Sequence, residues 1–449
     1  VRKYRDCGRW PSRMEVARTT GEGDDKKTEN EWLTLNQARA IWTRSKSDVE
    51  DADYHEFYKS LSHDWNPPLA WTHFKVEGTH ELTGLLYLPE KAPFDLTDRS
   101  KSGVKLFVKR VFIMDDAQEI VPEWLRFMRG VVDSEDLPLN VSREILQKDA
   151  TTRFIKKQVV SKSLTLLEEL AAEGETERPK NAEAPEGEDE TIKVNRFEAF
   201  YAEFGRNLKE GVYHEQDARE RLANLLRFHT TNVDDDSLTS LADYVSRMGE
   251  DQTSIYYVAA DSLASAKSSP HIEALKKHGS EVLLMTEAID EWVVDALREH
   301  DGKQFVSAAK GALDIPESDE DKKKKEEQEK ELAPVLERVQ QALDEHVKTV
   351  RVTDRLTDSP ACLVSDEGGM SARQEKVLRE AGHDVPKQKR ILELNAGHSV
   401  VQKLQALTDD SRFADWSALL YDQALLAEGT LPTDPAAFSR RLTDLMASN

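Results

Sequence analysis

A chain of 449 residues is too long for one hydrophobic core and implies two or three domains. Its 85 acidic against 62 basic side chains leave a net charge of −23, which repels phosphate backbones and, with no basic stripe in the sequence, argues against a nucleic-acid partner. Cys7 and Cys362 are too few and too far apart for a disulfide framework or a cysteine metal site, and no apolar run reaches membrane-spanning length, so a cytoplasmic protein without a membrane span is expected.

Met14 to Ala17 is a short apolar piece that opens into a polar turn. Asn36 to Trp42 and Ala52 to Leu61 read as helices; Thr72 to Val76, Gly84 to Leu88 and Val104 to Ile113 read as strands, being short, β-branched or aromatic, and bounded by Gly and Pro. Helices are expected at Glu119 to Phe127 and from Arg143 to about Ala172. Glu173 to Glu190 has no apolar side chain beyond alanine and is expected to be an exposed loop, because it can bury nothing to offset its ordering entropy. Phe197, Phe200, Tyr201 and Phe204 then recur at helical spacing and predict a core face.

From Leu238 the pattern is helix, strand (Ile255 to Ala259), helix (Ser262 to His278), strand (Glu281 to Met285), helix (Ala288 to His300), which suits a small parallel or mixed sheet. The run Glu317 to Glu331 carries blocks of opposite charge and reads as a solvated helix or linker. Strands follow at Val347 to Thr353, Ala361 to Val364 and Arg390 to Leu394, with a helix from Met370 and two closing helices. The fold class is therefore α/β (α+β): a layered domain over 1–230, a smaller α/β subdomain over 231–315, a charged linker or helix over 316–335, and a mixed C-terminal domain over 336–449 that ends in a helix pair.

Ser134-Glu-Asp-Leu-Pro-Leu-Asn-Val-Ser-Arg-Glu-Ile-Leu-Gln147 combines a Pro138 and Asn140 loop with the first turn of a helix, which sets Arg143 and Gln147 on one helix face. An arginine at such a corner can reach an anion outside its own domain, or it can be a surface arginine paired with Asp133, Glu135 or Asp136. No Gly-x-Ser-x-Gly elbow, phosphate loop or His-x-x-x-His pair appears, and no metal ligands are assigned.

Val131 to Gln147 resembles the catalytic loop of the heat-shock protein 90 chaperones, with wording closest to bacterial members. The likeness extends through Trp65-Asn-Pro-Pro-Leu-Ala-Trp71, Ala92-Pro-Phe-Asp95, Val108-Lys-Arg-Val-Phe-Ile113, Pro122-Glu-Trp-Leu125, Asp243-Tyr-Val-Ser-Arg-Met248, Asp290-Glu-Trp292 and Asp422-Gln-Ala-Leu-Leu-Ala427. The resemblance implies middle and C-terminal segments of a dimeric, ATP-driven chaperone, and the start at Val1 is read as a fragment without the N-terminal nucleotide-binding domain. ATP and Mg would belong to the full-length protein, with Arg143 and Gln147 assisting hydrolysis; this chain alone is expected to bind neither and to turn nothing over.

It further implies a client surface including Glu291, Trp292, Asp295, Met370, Val377 and Leu378, with simple core packing as the alternative for Trp292. Asp295 stands where a bacterial relative has Asn, and Gln374 where an apolar residue is expected. Trp65 and Trp71 are core anchors or edges of a second client surface. Phe413, Trp416 and Leu420, with Phe438, Leu442 and Leu445, make two broad helix faces expected to pair in a homodimer. Without an acidic tail after Asn449, tail-docked helical-repeat co-chaperones are not expected. The rival readings are a stand-alone enzyme on a borrowed scaffold and the transducer part of a related DNA-acting ATPase; the first needs a pocket of convergent titratable groups, the second a basic stripe.

Overall fold

The computed structural model describes residues 13–20, 27–34, 40–99, 101–138, 150–179, 191–233, 237–313, 319–386 and 388–447. The chain is α/β, with helices and sheets mixed along its length. It forms two compact units, Val1–Gly211 and Val212–Asn449.

In the first unit β1 (Arg13–Thr20) pairs antiparallel with β2 (Lys27–Thr34), and the polar turn expected after Ala17 lies for the most part outside the described residues, at 21–26. The helix expected at Asn36 to Trp42 is, within the described residues, one 3-10 turn over Ile41–Thr43. Helix α1 (Asp51–Ser62) precedes a five-stranded sheet in the order β3 (Ala70–Val76), β4 (Leu82–Leu88), β7 (Arg129–Ser134), β5 (Val104–Val108), β6 (Val111–Met114). The single strand expected over Val104 to Ile113 is a hairpin, because Lys109 and Arg110 take φ of 51° and 68° and turn the chain. The helix expected at Glu119 to Phe127 reduces to a 3-10 turn, Glu123–Leu125, set off by Pro122.

β7, the middle strand, is buried at every position. At Gly130, with φ of 154°, an added Cβ would stand 2.3 Å from the Leu85 carbonyl oxygen, so the strand can pack there only as glycine. α1 covers the sheet through Tyr54 and Tyr58, which cluster with Trp42 of the 3-10 turn and with Tyr87, Phe107 and Val131 of the strands. Next come α2 (Ala150–Ala172), the strand pair β8 (Glu175–Pro179) and β9 (Thr191–Asn195), and α3 (Arg196–His214). The exposed loop expected over Glu173 to Glu190 is thus strand at Glu175–Pro179, and 180–190 lie outside the described residues. The aromatic stripe of α3 is core: Phe200 meets Phe127 edge to face and Phe204 meets it tilted, with ring centroids 5.6 and 4.9 Å apart.

The second unit continues with α4 (Arg219–Leu225), β10 (Arg227–Thr230), β11 (Thr239–Ser240), α5 (Leu241–Arg247), β12 (Ile255–Ala259), α6 (Leu263–Lys267), α7 (Glu273–Lys277), β13 (Val282–Met285), α8 (Asp290–Leu297), β14 (Glu299–His300) and β15 (Lys303–Ser307). Its six-stranded sheet runs β11-β10-β13-β12-β15-β14; β12 is parallel to β13 and β15, and the outer pairings are antiparallel. The helix expected over Ser262 to His278 breaks at Pro270, which lacks the donor to continue it. The helix expected to reach His300 stops at Leu297, because Arg298 takes φ of 66° and sends the chain into β14.

The charged run is helical from Asp319 onward: α9 (Asp319–Ala342) leads to β16 (Val347–Val352), β17 (Ala361–Val364), α10 (Ala372–Glu380), β18 (Arg390–Leu394), α11 (Ser399–Gln405), α12 (Asp410–Ala427) and α13 (Pro435–Ala447). The three strands order as β16-β18-β17, and Leu332, Val335 and Val339 of α9 pack with Phe413, Leu420 and Leu425 of α12 against their apolar side chains.

Candidate functional site

Arg143 and Gln147 lie outside the described residues, but the chain leading to them is described as far as Pro138. β7 ends at Ser134, whose Oγ accepts from the backbone N–H groups of Asp136 and Leu137 at 3.3 and 3.4 Å. Glu81 grips the next turn: its carbonyl accepts from the Glu135 N–H at 3.1 Å, and its own N–H donates to Asp136 Oδ2 at 2.7 Å. Asp133 faces inward, accepting from Trp42 Nε1 at 3.0 Å and the Arg110 N–H at 3.1 Å, and burial holds its carboxyl above the usual range. Asp133 is therefore an internal acceptor rather than the surface acid that sequence reasoning allowed, and the root of the loop is fixed by the middle strand of the sheet.

The other candidate site is built on α8 and α10. Ser371 caps α10 reciprocally: its Oγ accepts from the Gln374 N–H and Gln374 Oε1 accepts from the Ser371 N–H, each at 3.0 Å. The cap fixes Gln374, which also takes Lys310 Nζ on Oε1 at 3.0 Å and donates from Nε2 to Asp295 Oδ2 at 3.0 Å. Trp292, Asp295, Met370 and Leu378 come together with Lys310, Glu367, Gly368, Gly369 and Gln374 around a groove of about 320 Å³. Trp292, Met370 and Leu378 are half-buried, so each offers apolar surface while remaining anchored. Val377, also half-buried, does not line the groove.

Glu291 departs from its expected place on the surface. It is 2% exposed, accepts from Ser371 Oγ at 2.7 Å, and has no hydrogen-bond partner for Oε1 among the described residues. Burial raises its carboxyl above the ordinary glutamate range, so it can support Ser371 beneath the groove but cannot touch a client. In the first unit Trp65 is 87% exposed, which removes the core reading for that residue, while Trp71 packs on Tyr54 and His55.

The closing helices separate the six residues expected at a dimer surface. Phe413 and Leu420 are buried in their own unit's core, and Trp416 packs against it, because α9 and the three-stranded sheet already cover that face of α12. α13 buries none of its residues: Phe438 and Leu445 are half-buried, Leu442 is 40% exposed and Met446 72%.

Sequence reasoning passed over Ser371, Lys310 and the Asp295–Gln374 contact. The capping signal was present, since Ser371 and Gln374 have the Ser-x-x-Gln spacing of a capping box, but the contacts to Lys310 and Asp295 join residues distant in sequence. Among the described residues no group of three or more His, Cys, Asp or Glu could hold a metal ion, and no helix is long and apolar enough to cross a membrane. β12 runs into Ala260-Asp261-Ser262 and β13 into Thr286-Glu287, without glycine, so neither of these two turns makes a glycine-rich phosphate loop.

Fold and groove define a multidomain α/β protein whose candidate site is an open, partly apolar surface. The family model described as Hsp90 protein matches residues 14–449. Similar relatives include the chaperone protein HtpG of Myxococcus xanthus, 46% identical over 99% of this chain and 66% of the relative. Those of Bordetella pertussis and Burkholderia ambifaria are 47% identical over 99% and 100% of the chain and 68% and 69% of their own lengths. The chain belongs to the Hsp90 family of chaperones and spans about two thirds of the length of these relatives.

Proposed function

We propose that this chain is the client-binding and dimerising part of an ATP-driven chaperone. The observation that carries the reading is the groove in which Trp292, Met370 and Leu378 meet. A half-buried tryptophan beside a flexible methionine and a leucine suits many apolar sequences without demanding one shape. The large first segment, 1–230, would carry the loop of Arg143 and Gln147; 231–315 and 336–449, joined through 316–335, would carry the groove and the dimer surface.

Arg143, with Gln147 beside it, is read as the cation that stabilises charge developing on ATP and Mg held by another domain of the whole protein, an effect worth several kcal/mol where arginines act this way. In that protein Arg143→Ala should lower turnover roughly a thousandfold while nucleotide affinity changes little; equal turnover would refute the role. For the second copy, the stripe of Phe438, Leu442, Leu445 and Met446 on α13 supplies the surface. Each large side chain buried adds about 1.5–3 kcal/mol, and contributions from both copies offset an association cost of about 4–15 kcal/mol.

The test of the chaperone reading is suppression of client aggregation by Met370→Ser with Leu378→Ser. It should fall severalfold with the melting temperature little changed. Unfolding of the variant, or full suppression, would remove the groove from this role.

A further inference from the structure

The groove carries charge as well as apolar surface, and it does not end at Trp292. A second hollow of about 380 Å³, lined by Tyr257, Val294, Asp295, Arg298, Glu299, Gln304 and Phe305, shares Asp295 with it, so the two adjoin at that carboxylate. Asp295, Glu299 and Glu367 are exposed along the two hollows, and none forms an ion pair with a lysine or arginine among the described residues. Lys310 is held by Gln374 at 3.0 Å, and its charge acts on the buried Glu291. Among the described residues Arg298 is left as the one exposed cation lining these hollows, against three carboxylates.

Asp295 differs from the other two acids in being held. Gln374 Nε2 fixes one of its oxygens at 3.0 Å, and Gln374 is itself set by the Ser371 cap and by Lys310. A carboxylate kept in place at the junction of a partly apolar groove and a second hollow has little orientational freedom left to lose on meeting a cation. We propose that the groove selects extended polypeptide segments in which an apolar side chain is closely followed by lysine or arginine: the apolar group enters beside Trp292, Met370 and Leu378, and Asp295 receives the cation. This rests on the groove being the client site and specifies which clients it favours.

The test is fluorescence anisotropy with the full chain and three labelled peptides sharing one apolar core, flanked by lysines, by glutamates or by serines. The lysine peptide should bind at least about tenfold tighter than the glutamate peptide, a difference of about 1.4 kcal/mol. The net charge of −23 attracts any cation, so binding in the groove must be separated from that background. Asp295→Asn retains an acceptor for Gln374 and should remove most of the lysine preference, read as the ratio of lysine-peptide to serine-peptide binding in the same variant; Asp295→Glu should restore part of it. Asp344→Asn, an exposed charge change outside both hollows, should have no effect. A lysine preference that survives Asp295→Asn overturns the proposal. Equal binding of the lysine and glutamate peptides, with both weakened by Leu378→Ser, overturns the charge selection and leaves the client groove standing. If no peptide binds, or binding is indifferent to Leu378→Ser, the client reading and this proposal fall together.

Discussion

Gln374 Nε2 donates a 3.0 Å hydrogen bond to Asp295 Oδ2, joining the two positions where the groove departs from the apolar and asparagine residues that the family resemblance implies. The departures answer one another: a buried glutamine side chain would be costly without partners, and the aspartate supplies one. Gln374→Met should cost about 1 kcal/mol through loss of the cap. In a double-mutant cycle with Asp295→Ala, denaturant unfolding should give a coupling of about 0.5–1.5 kcal/mol, and strict additivity would show that the contact contributes nothing.

Glu393 and Arg355 form a buried ion pair at 3.0 Å, with Arg351 on the other carboxylate oxygen and Arg355 reaching the carbonyls of Ala308 and Gly311. Burial pushes the Glu393 carboxyl up, but Arg355 and then the Arg351 contact bring it below the ordinary value. Its contribution is therefore complete above the ordinary glutamate range and is lost as pH falls through the depressed value. Glu393→Gln should cost about 3–5 kcal/mol at neutral pH. Urea unfolding at neutral and acid pH checks this, and the variant should lose part of the acid-side slope.

Glu291 has the opposite sign. Its raised pKa means that the folded state favours the protonated form, so its contribution is complete below the ordinary glutamate pKa and is lost as pH rises through the folded value. Glu291→Gln, which can still accept from Ser371, should raise the melting temperature at neutral pH by roughly 2–4 °C, the shift expected from about 1 kcal/mol in a domain of this size, and by less at acid pH. A melting temperature lowered at neutral pH would show that the charge is needed.

Where a segment's own pattern decides its structure, the sequence reading holds. β17 and β18 were legible from short apolar runs, and α3 from its aromatic stripe. β7 was not, because Arg129, Gly130, Asp133 and Ser134 look like loop residues until the Asp95 carboxylate meets Arg129 and the Trp42 indole meets Asp133. The same limit applies at the groove: Trp292, Met370 and Leu378, named together through resemblance and helical spacing, do line one hollow, whereas the burial of Glu291 depends on a serine 80 residues away.

Removing α13 tests assembly more cleanly than removing both closing helices, because Phe413 and Leu420 belong to the chain's own core and a chain ending at Asp410 would lose it. By sedimentation, the chain should be a dimer. A version ending at Thr433, or Leu442→Asp with Met446→Asp, should be a folded monomer; an undisturbed dimer would exclude α13 from the interface.

The most direct measurement of the central claim is hydrogen exchange on the intact chain with and without a destabilised model client. Binding in the groove predicts slowed exchange concentrated in Asp290–Leu297, the Gly368 to Ser371 turn and Ala372–Glu380, and abolished by Leu378→Ser. Client-induced slowing that leaves these segments untouched, or that persists unchanged in Leu378→Ser, would contradict it.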